Sequence, residues 1–344
     1  MKKVLLITDV LEHYRVPLYN SLCEKIELTI AHKGEFKDNC LFRQIKLDSK
    51  TYGPFIKYNW DQSTRYDVII YPFNVRCLNL LFDTIRKKPY KIAGFGIGVA
   101  ASYAKLYDSK NFIQDKLRLQ IAKRIDNLIF YENYPYIKYK ALGINPCKMA
   151  VAYNTVQINP NFKIQDKEYK SFIFIGSLYK QKKIFDLIKC YHNLYIINNS
   201  IHNLEIIGDG DEFKNIKKYI SDNNLSGKII LHGKIVDDAL LLPIMKRAVV
   251  CVSPGQAGLS VQKCFSYGVG FITEYNSITG GESHSIIEGT TGNFYDGTLN
   301  DLEHKMRLYT DINYCKNISI NAFNFYSSFR NVNIWKTGFL KNLV

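Results

Sequence analysis

The sequence lacks any apolar run long enough to cross a bilayer. Its longest apolar stretches, DVIIYPF at 67–73 and RAVVCVSP at 247–254, fall far short of the roughly 18 residues that a spanning helix needs. The apolar run at 3–8 breaks at Asp9 with no small-residue cleavage site after it, and therefore predicts a buried first strand rather than a signal peptide. We expect a cytoplasmic protein, at most peripheral on the inner face of the cytoplasmic membrane.

Patterns that bind metals or cross-link secreted proteins are also missing. The eight cysteines include no C-x-x-C pair, and the seven histidines have no metal-ligand spacing. These spacings predict buried free thiols in a reducing compartment, with no metal site. Long polar or Pro/Gly-rich tracts are absent and 47% of the residues are hydrophobic, which excludes disorder as the dominant state.

Positive charge is abundant and unevenly distributed. The net charge is +15; residues 1–160 hold 25 Lys and Arg against 14 Asp and Glu, a net +11, whereas 161–344 hold 21 against 17, a net +4. A basic N-terminal half indicates an anionic partner: a lipid surface, a diphosphate-bearing substrate or nucleic acid. A purely solubilising role is the alternative. Nucleic acid is disfavoured, because the basic residues do not interleave with a recognisable binding motif.

Strand-like and helical segments alternate along the chain. This alternation is typical of βαβ units with parallel sheets, and 344 residues exceed what one core usually organises. The sequence therefore predicts the α/β class, with two Rossmann-like doubly wound domains whose strands end at a shared cleft. The predicted strands lie near 3–8, 26–31, 67–71, 90–94, 127–131, 149–153, 171–176, 203–208, 228–232, 248–252 and 270–273.

The polar, aperiodic stretch at 157–170 is the predicted linker between the domains. It separates an N-terminal domain at 1–160 from a C-terminal domain at 161–320. The aromatic-rich segment at 321–344 follows the last predicted strand, and it either caps the second domain or packs back on the first.

A cluster of lysines follows the first strand of the second half. In IFIGSLYKQKKIFDLI, at 173–188, a strand ends at Gly176, and Lys180, Lys182 and Lys183 fall at the start of a helix. Unpaired amides, the positive end of the helix dipole and nearby lysines together favour a bound phosphate. The alternative is a solvated lysine run, although cations in a first helical turn oppose the dipole unless an anion is present.

Four segments of the second half occur in a recognisable order. The lysine-bearing turn precedes a strand ending in GDG at 208–210, a strand ending in HGK at 232–234, and SPGQAGLSVQKCFSYGVGFIT at 253–273. This order, with YENYPYIKYKALGINPCKMAVAYNTV at 131–156, resembles the family 4 glycosyltransferases of the GT-B fold. The resemblance is strong from 127 to 300 and loose before that.

The resemblance implies transfer of a sugar from a nucleotide diphosphate donor, with the anomeric configuration retained and no metal or other cofactor. The donor would lie mainly on the C-terminal domain and the acceptor mainly on the N-terminal domain. Breaking the C1–O bond requires stabilisation of the departing diphosphate. By position, Lys182 matches the family's phosphate-binding lysine, whereas Ser177 stands where the family has an arginine. Lys180 or Arg15 would compensate for that missing charge.

The turn at 253–259 departs from the family pattern. Family members usually carry two glutamates here, one for the donor sugar and one for the ribose, and those places hold Gly255 and Lys263. A subset with a P-G-x-x-G-L turn is more similar. Its glycines would let the backbone approach a diphosphate and present the amides of 256–260 at a helix N-terminus. The predicted donor-binding residues are Gly176, Ser177, Lys180, Lys182, Gly255, Gln256, Ala257, Gly258, Leu259, Lys263 and Arg15.

Two residues are predicted to be catalytic, Glu282 and His13. Glu282 is the nearest acid after the turn and would supply a carboxylate on the donor side, with capping of a helix near Ser283 as the alternative. In TDVLEHYRVPLYN at 8–20, Arg15 could bind a diphosphate bidentately, and His13 or Glu12 could receive or orient the acceptor hydroxyl. The alternative is that these side chains cap the first helix or cover the sheet edge.

Glycines at 94, 96 and 98 follow a strand and resemble part of a dinucleotide-binding turn. No acid follows at the required distance, so the pattern favours instead a loop that admits the acceptor beside Gly96.

The segment at 103–124 predicts a basic amphipathic helix. Ile113, Leu117 and Ile121 fall on one face, and lysines and arginines are distributed around the others. Such a helix would suit an anionic bilayer and a lipid-linked acceptor. A helix packed on the sheet with a solvated basic face is the alternative.

These residues favour a retaining glycosyltransferase that uses a nucleotide diphosphate sugar to extend a glycan, lipid-linked in our prediction, for a bacterial capsule or lipopolysaccharide. The alternative is a catalytically inactive GT-B-like partner subunit, since both usual glutamates are missing.

Overall fold

The computed structural model describes residues 1–101, 106–199 and 201–343, which form two compact units. The first unit contains 1–101, 107–157 and 331–343, and the second contains 158–330 with residue 106. Each unit has one large parallel sheet with helices packed on both faces.

The first unit is built on a seven-stranded parallel sheet with the order β3-β2-β1-β6-β7-β8-β9, and an antiparallel hairpin, β4–β5, is inserted beside it. Most of these strands are apolar on both faces, as expected for a sheet covered on both sides. The strands are β1 (Lys2–Ile7), β2 (Ile26–His32), β3 (Arg43–Lys46), β4 (Asp48–Tyr52), β5 (Phe55–Asn59), β6 (Val68–Pro72), β7 (Lys91–Gly96), β8 (Asn127–Phe130) and β9 (Met149–Val151).

Helices of this unit connect the strands as crossovers. They are α1 (Val16–Asn20), α2 (Leu78–Asp83), α3 (Phe112–Arg124) and α4 (Asn133–Ala141). Because β1 and β6 are neighbours in the sheet while the chain leaves them toward opposite sides, a crevice forms at their carboxyl ends.

The second unit has a six-stranded parallel sheet with the order β12-β11-β10-β13-β15-β17, together with a short parallel pair, β14–β16. The switch in direction falls between β10 and β13. The strands are β10 (Ser171–Ile175), β11 (Asn203–Ile207), β12 (Ile229–Gly233), β13 (Ala248–Val252), β14 (Gln256–Ala257), β15 (Gly270–Glu274), β16 (Ile278–Thr279) and β17 (Gly292–Tyr295). The helices are α5 (Ile184–Ile197), α6 (Phe213–Asp222), α7 (Asp238–Arg247), α8 (Ser260–Phe265), α9 (Leu299–Leu308) and α10 (Ile312–Phe329).

The predicted linker at 157–170 is mostly part of the second unit. Phe162 is buried against Tyr267 and Phe323. The ammonium group of Lys167 donates to the carbonyls of Met245, at 2.8 Å, and Ala248, at 2.5 Å. The polar composition did not indicate this packing, which involves one buried aromatic ring and one half-buried lysine that donates to two backbone carbonyls.

The chain returns to the first unit after Arg330. The return helix α11 (Val332–Leu340) buries Trp335 and Phe339 in the core that holds Tyr19 and Phe95. The predicted start of this segment at 321 falls within α10, so the return begins ten residues later than the aromatic composition indicated.

The basic helix predicted at 103–124 is shorter than expected and differently oriented. Residues 103–105 lie outside the described residues, and α3 begins at Phe112. Ile121 is buried as predicted, but Ile113 is 77% exposed and Arg118 is buried, with its guanidinium 2.7 Å from Asp115. The predicted apolar face is therefore wrong at its N-terminal end, because Arg118, which pairs with the half-buried Asp115, is buried while Ile113 is exposed.

All eight cysteines are free thiols. Within 1–101, 106–199 and 201–343, no group of three or more His, Cys, Asp and Glu side chains could hold a metal ion. In the same residues, no helix is both long and apolar enough to span a membrane.

Candidate functional site

The second unit places its sequence motifs at the switch point of its sheet. The turn at 176–182 follows β10 and the turn at 253–259 follows β13, which are adjacent strands. Ligands of open parallel sheets bind in this crevice, outside the carboxyl ends of the strands. The location alone therefore makes these two turns the main candidate site.

The loops at this switch point pack backbone against backbone. The amide of Gly255 donates to the carbonyl of Lys182 at 3.1 Å, and a Cβ at residue 255 would lie 2.0 Å from the carbonyl oxygen of Gln181. A Cβ at Gly208 would lie 1.8 Å from the carbonyl oxygen of Gly176. Both glycines are required by neighbouring backbone, so Gly255 shapes the site by closing the two turns together.

Lys182 is the buried cation of the site. It lies in a single 3-10 turn, Lys180–Lys182, and not within α5, because Lys183 adopts a left-handed conformation and α5 begins at Ile184. The Lys182 ammonium lies against Gly176, 3.3 Å from the position of a Cβ there. Burial lowers the pKa of Lys182 to about 8, although Cys251 and Glu282 raise it. A buried ammonium with few compensating charges is well suited to a phosphate.

Gln256 and the amides after it form the open part of the turn. The Tyr179 hydroxyl donates to Oε1 of Gln256 at 2.5 Å and joins the two turns through side chains. A Cβ at Gly258 would meet only Nε2 of Gln256 within 4 Å. Among the described residues, none accepts from the backbone amides of Gly258, Leu259 and Ser260. The glycine at 258 therefore leaves room for a ligand, unlike the glycine at 255.

Glu282 is brought to the site by a short strand pair. β14 pairs with β16 so that Gln256 lies opposite Ile278 and Ala257 opposite Thr279. Three residues after β16, Glu282 begins a 3-10 turn, is 5% exposed, and accepts from the amide of Gly280 at 3.0 Å. The negative charge of Glu282 contributes to raising the pKa of Lys182, against the larger effect of burial.

Other predicted donor residues are placed differently. Ser177 and Lys180 are exposed. Lys263 lies on α8 and forms an ion pair of 2.5 Å with Asp238, so its charge is already neutralised in this unit. Lys183 pairs with Glu274, a contact that the sequence did not indicate.

The first unit has a cavity of about 170 Å³ at its own switch point. Its lining includes Ile7 at the end of β1, Pro72 at the end of β6, and Phe95 in β7. Arg15 forms part of the wall, and its Nη2 donates to Oδ1 of Asn154 at 2.8 Å.

Aromatic side chains surround the guanidinium of Arg15. It lies 5.3 Å from the ring centre of Tyr131 and 5.9 Å from that of Tyr14. Burial lowers the pKa of Arg15, but Tyr131, Tyr19 and Tyr14 outweigh burial and raise it. Burial also raises the pKa of Tyr19 to about 12. Arg15 is therefore a cation held against the aromatic side chains of this wall.

The remaining predicted residues of this unit lie around the same strand ends. Glu12 lines the cavity and is exposed, and His13 is exposed in the one-turn helix His13–Arg15. Gly96 ends β7, where a Cβ would make only ordinary contacts with Phe73. Gly96 therefore has no steric need to be glycine in this structure.

Some residues of both sites were not indicated by the sequence. Tyr179, Asn154 and Tyr131 each follow a strand of the parallel sheets, which is the position where site residues are expected, but their residue types carried no further signal. Burial of Lys182 is a property of the packed turns and is not visible in a run of lysines.

Comparison with known proteins places the fold. Residues 157–324, nearly all of the second unit, match the family described as glycosyl transferases group 1. A search of curated protein sequences finds no match to the chain.

Solved structures match over the full length. One is HepE from Anabaena in complex with UDP and glucose, with a TM-score of 0.68, 12% identity, and 100% of this chain and 99% of that chain covered. The lipopolysaccharide outer core galactosyltransferase WaaB matches with a TM-score of 0.64 and 16% identity, over 100% of this chain and 99% of that chain. The pneumococcal O-GlcNAc transferase GtfA in complex with UDP and GlcNAc matches with a TM-score of 0.68 and 10% identity, over 99% of this chain and 98% of that chain.

The predicted fold class is therefore confirmed, as is the predicted enzyme class. With its matched group 1 domain and two Rossmann-like units, the protein is a glycosyltransferase with the GT-B fold.

Proposed function

We propose that the protein is a retaining, family 4 type glycosyltransferase that transfers a sugar from a nucleotide diphosphate donor to a glycan acceptor. The observation that carries the proposal is the presence of two buried charged residues, Lys182 and Glu282, in the loops at the switch point of the second unit. The HepE and GtfA structures contain UDP with a sugar, which supports UDP as the first nucleotide to test.

The second unit would bind the donor diphosphate through charge and backbone. Lys182 donates to a phosphate oxygen, and the amides of Gly258, Leu259 and Ser260 are free to donate to others. This arrangement stabilises the negative charge that develops as the C1–O bond breaks. The two absent glutamates are not required for this role, and no metal or cofactor enters the proposed step.

Glu282 would contact the sugar of the donor. When the C1–O bond breaks, its electron pair leaves with the diphosphate, and C1 carries positive charge until the acceptor oxygen bonds to it. A buried carboxylate stabilises that positive charge. If the acceptor attacks from the face that the diphosphate leaves, which retains the configuration at C1, the proton of its hydroxyl group would pass to a diphosphate oxygen.

The first unit would bind the acceptor at the cavity of about 170 Å³. Glu12 lines this cavity, and His13 lies between the lining residues Glu12 and Tyr14 in the chain, so either side chain could orient the acceptor hydroxyl. The fixed cation of Arg15 favours an acceptor with an anionic group, such as the diphosphate of a lipid-linked glycan. Synthesis of a bacterial capsule or lipopolysaccharide is the biological role that fits this acceptor.

A donor screen tests this function. The purified protein is melted with UDP-, GDP- and dTDP-sugars, because a bound donor raises the melting temperature by mass action. The donor that stabilises most is then incubated with glycan acceptors, and the anomeric proton of the product is examined by NMR. A product of inverted configuration would contradict retention. No stabilisation and no nucleotide diphosphate release with any donor would favour the inactive partner subunit.

An exposed apolar surface on the first unit supports peripheral membrane contact. Phe112 and Ile113, in the first turn of α3, are 81% and 77% exposed, and Ile137 on α4 is also exposed. Lys110 and Lys116 flank the first two, in the half of the chain with the larger positive charge. We propose that Phe112 and Ile113 insert among anionic lipid headgroups.

Vesicle sedimentation tests this contact. The variant with Phe112→Ser and Ile113→Ser should lose at least about tenfold in affinity for vesicles that contain phosphatidylglycerol, since two large apolar side chains no longer enter the lipid. The matched control is Ile196→Ser with Ile197→Ser, which removes two exposed isoleucines at the end of α5 in the second unit. Equal loss in both variants would contradict a specific surface.

A further inference from the structure

The first unit contains a second, larger cavity that neither proposed substrate uses. Its volume is about 630 Å³, within the range of about 300–1,000 Å³ that small-molecule sites occupy. It extends along β6 from Asp67, which precedes the strand, to Tyr71 near the end of the strand. Most of it therefore lies toward the amino end of β6, whereas the smaller cavity lies at the carboxyl ends of the strands.

A buried carboxylate forms the polar floor of this cavity. Oδ2 of Asp83 accepts from the hydroxyl of Tyr71 at 2.7 Å and from that of Tyr90 at 2.8 Å, and Oδ1 lies 2.8 Å from the Lys88 ammonium. Asp83 is buried, so these three partners hold its charge in place. The ammonium of Lys88 and one further acceptor position on the carboxylate remain available to a ligand.

Trp60 forms an aromatic wall of the cavity. The β4–β5 hairpin positions it, because the side chain of Asn79 on α2 accepts from the amide of Tyr58 at 2.7 Å and donates to its carbonyl at 3.0 Å. The indole packs edge-on against Tyr71, with ring centres 6.3 Å apart, and stays partly exposed. These two hydrogen bonds fix the backbone at Tyr58, two residues before Trp60, and so help to hold the indole in place.

The balance of charge identifies the class of ligand. The lining includes two basic side chains, Arg65 and Lys88, and two acidic ones, Asp67 and Asp83, so the cavity has no net charge. A phosphate ligand would meet the two carboxylates, and a purely apolar ligand would leave the remaining N–H donors of Lys88 without water or an acceptor. A neutral polyol with one apolar C–H face satisfies both the aromatic wall and the polar floor.

We propose that this cavity is a second carbohydrate-binding site, which holds a sugar residue of a glycan away from the site of transfer. The inference depends on the cavity alone and not on the proposed donor or acceptor. Tyr71 lines both this cavity and the smaller one of about 170 Å³, so an occupied second site adjoins the smaller cavity through one shared side chain. A glycan held here would remain attached to the enzyme between transfers.

Tryptophan fluorescence tests the proposal, because the chain has two tryptophans and Trp335 is fully buried. The full-length protein is titrated with methyl α-glucoside, methyl α-galactoside, N-acetylglucosamine and their disaccharides at millimolar concentration. At least one should give a saturable change in emission and protect Trp60 from acrylamide. Calorimetry should then show affinity for that saccharide about tenfold weaker in Trp60→Ala, and nearly unchanged in Trp60→Phe, which keeps an aromatic wall.

The control variant is Tyr52→Ala, which removes an exposed aromatic ring from the same hairpin outside the cavity and should bind like wild type. The Lys182→Ala variant should also keep the saccharide response, which separates this site from the donor site. A response to none of the saccharides, or equal affinity in Trp60→Ala and wild type, would overturn the proposal.

Discussion

In the second unit the loops at the switch point pack backbone against backbone, whereas in the first unit the corresponding loops meet through side chains. Because Gly255 and Gly208 have no Cβ, the carbonyl oxygens of Gln181 and Gly176 can lie against them, where a Cβ would clash. In the first unit, Arg15 is instead enclosed by Tyr14, Tyr19 and Tyr131. The same sheet topology therefore supports two kinds of site, one formed mainly by main-chain atoms and one formed mainly by side chains.

This difference matches what each unit is proposed to bind. A diphosphate is the same in every nucleotide sugar, and main-chain amides with one lysine can bind it whatever the sugar. Acceptors differ, so a site made of side chains can change with them. The family match covers 157–324, the unit whose site depends on glycines at fixed places, and this fits the idea that main-chain sites leave the clearer sequence signal.

The largest expected effect comes from Gly255→Ala. The added Cβ would lie 2.0 Å from the carbonyl oxygen of Gln181, so the turns must separate. We expect a loss of about 2–4 kcal/mol in the free energy of unfolding of the second unit, with UDP binding abolished. Thermal melting and calorimetric titration with UDP measure the two effects.

The control for that change is Gly258→Ala, whose Cβ meets only Nε2 of Gln256, at 3.6 Å. It should melt at nearly the wild-type temperature. Wild-type melting and UDP affinity in Gly255→Ala would show that the close backbone contact is not what forms the site.

The main strands were predictable from sequence for a physical reason. Strands buried on both faces appear as continuous apolar runs, so runs such as FIFI in β10 and AVVCV in β13 located eleven strands within two residues. The β4–β5 hairpin was missed because its first strand, DSKTY, is almost entirely exposed and polar. β14 and β16 have two residues each, too few to show any period.

The sites were predictable only in part. Glycine and lysine positions in the second unit followed from the family resemblance, but the different roles of Gly255 and Gly258 depend on which backbone lies beside each. The exposure of Ile113 was not predictable either, because the Arg118–Asp115 pair occupies the inner side of α3. Such contacts depend on which distant parts of the chain pack together, and a helical spacing of three or four residues gives no information about that packing.

The second prediction concerns the charge of Lys182. Lys182→Ala should weaken UDP binding by about 1.5–3 kcal/mol, roughly ten- to a hundredfold, because a charged hydrogen-bond donor is lost. Lys180→Ala is the matched control, since Lys180 is an exposed lysine of the same turn. Equal UDP affinity in the Lys182→Ala variant and wild type would remove Lys182 from the donor site.

The depressed pKa of Lys182 adds a pH dependence. The free protein loses this positive charge as the pH rises through about 8, whereas a bound diphosphate would keep the lysine protonated. UDP affinity should therefore be constant near neutral pH and fall by up to about tenfold per pH unit above 8. Lys182→Arg, which stays charged, should bind UDP without this decline. The same decline in the arginine variant would assign the titration to another group.

The smallest effect is expected from Arg15→Lys in the first unit. Lysine keeps the charge but loses the planar group that binds Asn154 and lies against Tyr131, so acceptor binding should weaken modestly while the second unit is unaffected. We expect the KM for acceptor to rise about three- to tenfold, with the UDP affinity of the isolated binary complex within about twofold of wild type. Steady-state kinetics with varied acceptor and calorimetry with UDP separate these quantities. If UDP affinity instead falls while the KM for acceptor is unchanged, Arg15 binds the donor diphosphate, as the sequence first indicated. The proposed contrast between a main-chain donor site and a side-chain acceptor site would then be wrong.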